Sequence, residues 1–125
     1  MKKTCLAAFA AATLLAPISA SAEHLDVIAM EMTGACPFGE VLTILKDFNV
    51  WGEGYGYAAK IAAPLQAEDL TTYYWLGTSA NAAKFGAAWD AWRDGQADPK
   101  STPAKLQARF EKCTKNKRRT GFDVF

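Results

Sequence analysis

Residues 71–94 read TTYYWLGTSANAAKFGAAWDAWRD, and this stretch carries the fold. Thr71 to Leu76 alternates, with Tyr73 and Trp75 on one face and Thr72, Tyr74 and Leu76 on the other. Aromatic and β-branched side chains favour a strand here. Gly77-Thr78-Ser79 then leads the chain into a helix, with Ser79 or Asn81 as its cap. Phe85, Trp89 and Trp92 follow at i, i+4 and i+7, which lays an aromatic stripe along one side of that helix. Gly95 ends it. A strand thus passes directly into an amphipathic helix.

Working outward, Tyr57 to Ala63 reads as a strand stopped by Pro64, and Gln66 to Asp69 as the polar connection of a hairpin. Further upstream, Leu25 to Met32 is a strand. Leu25, Val27 and Ala29 share one face, which Glu31 interrupts. Ile28, Met30 and Met32 share the other, with Asp26 toward its solvent end. Cys36-Pro37 opens a helix, with proline where its missing donor costs nothing. Phe38, Val41, Leu42, Leu45 and Phe48 recur at helical spacing, and Gly52, Gly54 and Gly56 end the pattern. Downstream, Gln96 to Ser101 is a polar linker. Thr102 caps a last helix that begins with Pro103 and turns Leu106, Phe110 and Cys113 inward. Phe122 to Phe125, after Gly121, is a short alternating segment suited to an edge strand.

Strand, helix, strand, strand, helix is the split β-α-β order of a ferredoxin-like antiparallel sheet. The fold class is α+β, with the helices on one face and an extra C-terminal helix. Phe38, Leu42, Leu45, Phe85, Trp89 and Trp92 are expected in its core. The face opposite the helices needs cover, and a second copy of the chain is the simplest cover.

The element order, the aromatic third strand and the helix ANAAKFGAAWDAWRD at 80–94 resemble the dimeric α/β-barrel proteins, over roughly Leu25 to Asp94. That group includes monooxygenase-like, stress-responsive and uncharacterised members. The resemblance implies two paired four-stranded sheets enclosing a barrel, a homodimer, and a ligand between sheet and helices. It transfers no catalytic residue. The added helix after Asp94 departs from its pattern.

The amino terminus reads as an export signal. Lys2 and Lys3 precede an apolar run from Leu6 to Ile18, and Ala20-Ser21-Ala22 is a small-residue cleavage site. The run is short for a membrane span, which needs about 20 apolar residues. The expected organisation is a signal at 1–22 and one domain at 23–125, in the periplasm or secreted, with no integral membrane segment after processing. Cleavage turns the formal charge of +1 into −1. Seven basic residues and one acidic residue lie between Lys105 and Arg119. Lys112 to Arg119 reads as a solvated basic helix end, complementing the helix C-terminus. Export makes nucleic acid an unsuitable partner. Cys5 leaves with the signal, so Cys36 and Cys113 remain as a pair, and a disulfide is the reading for an oxidising compartment.

Side chains that carry chemistry are few. His24 is the only histidine and alternates with Met30 and Met32. Together they are weak candidates for copper, since thioethers suit Cu(I), but Met30 lies roughly 20 Å from His24 along a strand. Glu31, on an apolar-looking face, is the weak catalytic candidate, as a carboxyl whose burial would raise its pKa. Tyr55, Tyr57, Tyr73, Trp75, Trp89 and Trp92 are the candidate lining of a pocket for a flat apolar ligand. Gly52-Glu53-Gly54-Tyr55-Gly56 is no nucleotide fingerprint, because a helix precedes it and a strand follows. No motif calls for a cofactor. The expected function is an exported protein binding a small apolar or aromatic ligand, or a protein partner. The alternative is a small cofactor-independent oxygenase-like or isomerase-like enzyme.

Overall fold

The computed structural model describes residues 21–125. The export-signal reading, including Cys5, rests on residues outside that range but for Ser21 and Ala22. The elements run β1 (Glu23–Met32), α1 (Phe38–Glu53), β2 (Tyr57–Ala62), β3 (Thr72–Ser79), α2 (Ala82–Gly95), α3 (Thr102–Cys113) and β4 (Thr114–Val124). The four strands form one antiparallel sheet in the order β2-β3-β1-β4. This is the ferredoxin-like α+β arrangement, with α3 added ahead of the last strand.

The sheet is open. β2 and β4 are its edges, each paired on one side alone, so it does not close into a barrel. The resemblance to dimeric α/β-barrel proteins is corrected on that point. One edge is covered from within the chain: Asn49 of α1 donates to the Ala59 carbonyl and accepts from the Ala59 N–H, at 3.0 and 2.8 Å. Those groups would otherwise be the unpaired donor and acceptor of an edge strand.

Parity along the strands decides what each face holds. Ile28, Met30 and Met32 of β1 and Tyr57 and Ala59 of β2 pack against the helices, with Trp75 of β3. From α1 the buried partners are Val41, Ile44 and Phe48. Leu42, expected in the core, is 44% exposed, and Trp89 is 40% exposed. The apolar stripe of α1 is centred on Ile44, which carries Leu42 past its edge. α3 buries Leu106 and Cys113, as its spacing implied. Asn81 caps α2 by accepting from the Lys84 N–H, and Ser101 caps α3 in place of Thr102.

The basic segment is the largest departure from expectation. It is a strand, not a helix end: β4 starts at Thr114 and pairs with β1 along its whole length. The register shifts between Ala29, opposite Arg118, and Met30, opposite Asn116. Lys117 is therefore the extra residue of a bulge, which reverses side-chain parity beyond it. Thr114 and Asn116 face the helices before the bulge, and Arg119 faces them after it. Lys117 instead reaches Glu31 at 3.2 Å.

Cys36 and Cys113 are bonded, with Cα atoms 5.1 Å apart. The bridge joins the start of α1 to the junction of α3 and β4. Beside it, the Thr33 N–H donates to the Cys113 carbonyl at 3.0 Å. Arg109 ties α3 to α1 through Glu40 and Asp47. No helix among the described residues is long and apolar enough to cross a membrane.

Candidate functional site

A cavity of about 550 Å³ lies between the sheet and the helices, within the ordinary size range of small-molecule sites. Its floor is Ile28, Met30, Tyr57 and Trp75 from the sheet. α1 supplies Phe48 and Trp51, α2 supplies Phe85, Ala88, Trp89 and Trp92, and α3 supplies Gln107, Phe110 and Glu111. Thr114, Lys115, Asn116 and Arg119 of β4 complete the wall, with Thr33. Phe48 anchors the rings: it meets Trp75 edge-on at 4.7 Å and Trp92 at 5.2 Å. Trp75 meets Phe110 at 5.3 Å and Trp51 meets Trp92 at 5.1 Å. Such contacts hold rings in fixed orientations and leave flat apolar surface toward the void.

One polar network crosses this apolar wall. Asp26 is 1% exposed on the helix side of β1. The Tyr57 hydroxyl donates to its Oδ2 at 2.8 Å and accepts from Trp75 Nε1 at 2.8 Å. Arg119 closes the other side with two bonds, Nε to Oδ1 at 2.8 Å and Nη2 to Oδ2 at 2.7 Å. Its guanidinium stacks over the Trp89 ring at 4.1 Å, with Phe85 at 5.5 Å. Gly77 makes room for this network. A Cβ there would stand 1.8 Å from the Tyr57 hydroxyl oxygen, so any side chain would displace the tyrosine.

Burial pushes the Tyr57 phenol well above its ordinary value, and the negative charge of Asp26 adds to the effect. Tyr57 therefore remains a neutral donor, and its role is to hold Asp26 rather than to act as a base.

The expected site residues fall into distinct places. Tyr57, Trp75, Trp89 and Trp92 line the cavity. Tyr55 stacks outside it on Trp51 at 4.7 Å, and Tyr73 stacks on Phe38 at 5.2 Å. Glu31 is not among the lining residues. It points to the opposite face of the sheet, beside Lys117, because its parity on β1 is that of Leu25 and Val27. Met30 packs in the core, and His24 stacks on Phe85 at 4.4 Å. Among the described residues no group of three or more His, Cys, Asp or Glu side chains is placed to hold a metal ion.

Sequence reasoning missed Arg119, Asp26 and Trp51. A usable signal existed for the first two. Asp26 shares its strand face with Ile28 and Met30, and a buried carboxylate requires a cationic or donor partner.

No family model matches the chain, and no curated protein matches it. Among solved structures, it is similar to SnoaB, a cofactor-independent oxygenase from Streptomyces nogalater. The TM-score is 0.52 at 9% identity, covering 84% of this chain and 95% of that one. A dimeric protein of unknown function with a ferredoxin-like fold, from Bacteroides fragilis, matches with a TM-score of 0.45 at 6% identity. It covers 82% of this chain and 96% of that one. At these identities the likeness is one of fold.

Proposed function

We propose that this protein takes a planar aromatic molecule into its cavity and oxidises it with dioxygen, as a cofactor-independent oxygenase. The observation that carries the reading is the cavity itself, walled by aromatic rings and bearing one guanidinium. Without a cofactor, the electrons for dioxygen come from the substrate, and an ionised hydroxyarene is the natural donor. The protein's task is then to orient that substrate, keep water away and stabilise its charge. Flat apolar walls serve the first two needs, and Arg119 serves the third. The fold shared with SnoaB supports the enzyme reading without assigning a residue.

The second reading is a binding protein without turnover. It is favoured by the scarcity of bases. Glu31 faces away, and Glu111, a carboxylate on the lining, accepts from Gln107 at 2.8 Å. The two readings separate in one experiment. Hydroxylated two- and three-ring arenes are titrated against tryptophan fluorescence, and the ligands that quench are carried into an oxygen electrode. The expected result is saturable quenching, oxygen uptake proportional to protein, and loss of both in Trp89→Ala. Quenching without oxygen uptake leaves the binding protein. No quenching by any arene removes both.

Export belongs to the same reading, and the Cys36–Cys113 bond supports it, since disulfides persist in oxidising compartments. A second copy is proposed to cover the open sheet face. Leu25, Val27 and Leu76 are half-buried there, while Tyr74, Phe122 and Val124 are exposed. Such apolar patches mark contact surfaces. Light scattering at micromolar concentration is expected to give twice the chain mass; a monomer alone would remove the dimer.

A further inference from the structure

Arg119 is held in a way that charge balance alone does not require. Nε and one N–H of Nη2 bond Asp26, and among the described residues Nη1 has no hydrogen-bond partner. The guanidinium plane is fixed from a second direction by the Trp89 ring. Asp26 is itself fixed by Tyr57, and Tyr57 by Trp75. The chain of contacts therefore runs from the core outward and ends on Arg119, a residue of the cavity wall.

We propose that Asp26, locked by Tyr57 and Trp75, is a positioning residue that sets Arg119 Nη1 to bind an ionised oxygen on the edge of the aromatic ligand. This deepens the aromatic-ligand reading and rests on it. The physical argument is one of satisfaction. A bare hydrocarbon entering the cavity would strip water from Nη1 and leave a donor unpaired, which is unfavourable. A ligand oxygen at that place replaces the water. A phenolate does so better than a phenol, because its hydrogen bond to guanidinium is charge-assisted. The bound hydroxyarene gives its proton to solvent more readily than the free one. Arginine suits the role because it stays charged at every working pH. The other ionisable groups around it are Asp26 from β1, Tyr57 from β2, Glu111 from α3 and Lys115 from β4; α2 presents Phe85 and Trp89.

The test uses 2-naphthol, with 2-methoxynaphthalene as its non-ionisable control. On the wild-type protein, the absorbance of bound naphtholate is expected to appear about tenfold more readily, equivalent to one unit in the ligand's pKa. The Arg119 Nε–H resonance is expected to move with 2-naphthol and not with the control. In the double variant Asp26→Asn/Arg119→Gln, both charges go together, so the fold is spared an unpaired buried charge. That variant is expected to lose the naphtholate enhancement, measured relative to its own affinity for 2-methoxynaphthalene. Equal treatment of the two probes by the wild type would overturn the inference and leave the aromatic-ligand reading standing. Binding of neither would overturn both. Enhancement retained in the double variant would overturn the inference, and if that variant does not fold, an unmoved Arg119 resonance in the wild type does the same.

Discussion

Arg119→Ala is expected to lower the free energy of unfolding by about 3 kcal/mol, and by up to about 5, because it strands a buried carboxylate. Asp26 is 1% exposed, and Arg119 supplies two of its hydrogen bonds. Tyr57 alone cannot neutralise it. The lower end is favoured because the arginine side chain is 35% exposed, so water reaches the gap it leaves. The substitution also takes the cation from the face of Trp89. Urea unfolding followed by far-ultraviolet circular dichroism measures the loss. The control is Asp26→Asn/Arg119→Gln, in which no charge is left alone. It is expected to recover at least half of the deficit. If Arg119→Ala unfolds within about 0.5 kcal/mol of the wild type, the size of an ordinary surface change, the buried-pair account fails.

That network also shows how far the sequence could be read. The alternation in Thr71–Leu76 and the stripe Phe85, Trp89, Trp92 are strong local signals, and they place β3 and α2. On β1 the local signal is weak, because both faces carry apolar side chains. Glu31 and Asp26 therefore look equally eligible, and only pairing partners separate them. Glu31 meets Lys117 on the open face, and Asp26 meets Arg119 within. Those partners lie in a run of Lys, Asn and Arg that has no apolar alternation. A bulge at Lys117 then reverses which of its side chains face the helices. A one-residue insertion of this kind leaves no periodic trace. The run is a strand because the free edge of β1 offers it ten paired positions, from Glu23–Val124 to Met32–Thr114. Its own composition argues for neither helix nor sheet. Leu42 fell on the wrong side for a related reason: α1 is apolar around more than half of its circumference, so its centre was legible and its margins were not.

The other large effect expected is from the disulfide. Cys36→Ala/Cys113→Ala should cost about 4 kcal/mol, and lower the melting temperature by about 20 °C for a domain of this size. The residues are 77 apart in sequence, so the bridge closes a loop spanning most of the domain. In the chain-entropy model the effect grows with the logarithm of loop length and acts on the unfolded chain, which is free to expand once the link is cut. The denaturant slope should therefore rise along with the fall in stability, as more surface is exposed on unfolding. Native geometry offers a reason for little structural change. Thr33 still donates to the Cys113 and Lys112 carbonyls, which hold the same two segments together without the sulfurs. Arg109 continues to join α3 to α1. Ligand binding measured well below the melting temperature should accordingly be preserved, because neither cysteine is among the residues that line the cavity. A change below about 1 kcal/mol would mean that the unfolded chain stays compact without the link. A loss of binding in a variant that is still folded would mean that the bridge shapes the cavity as well as the unfolded state.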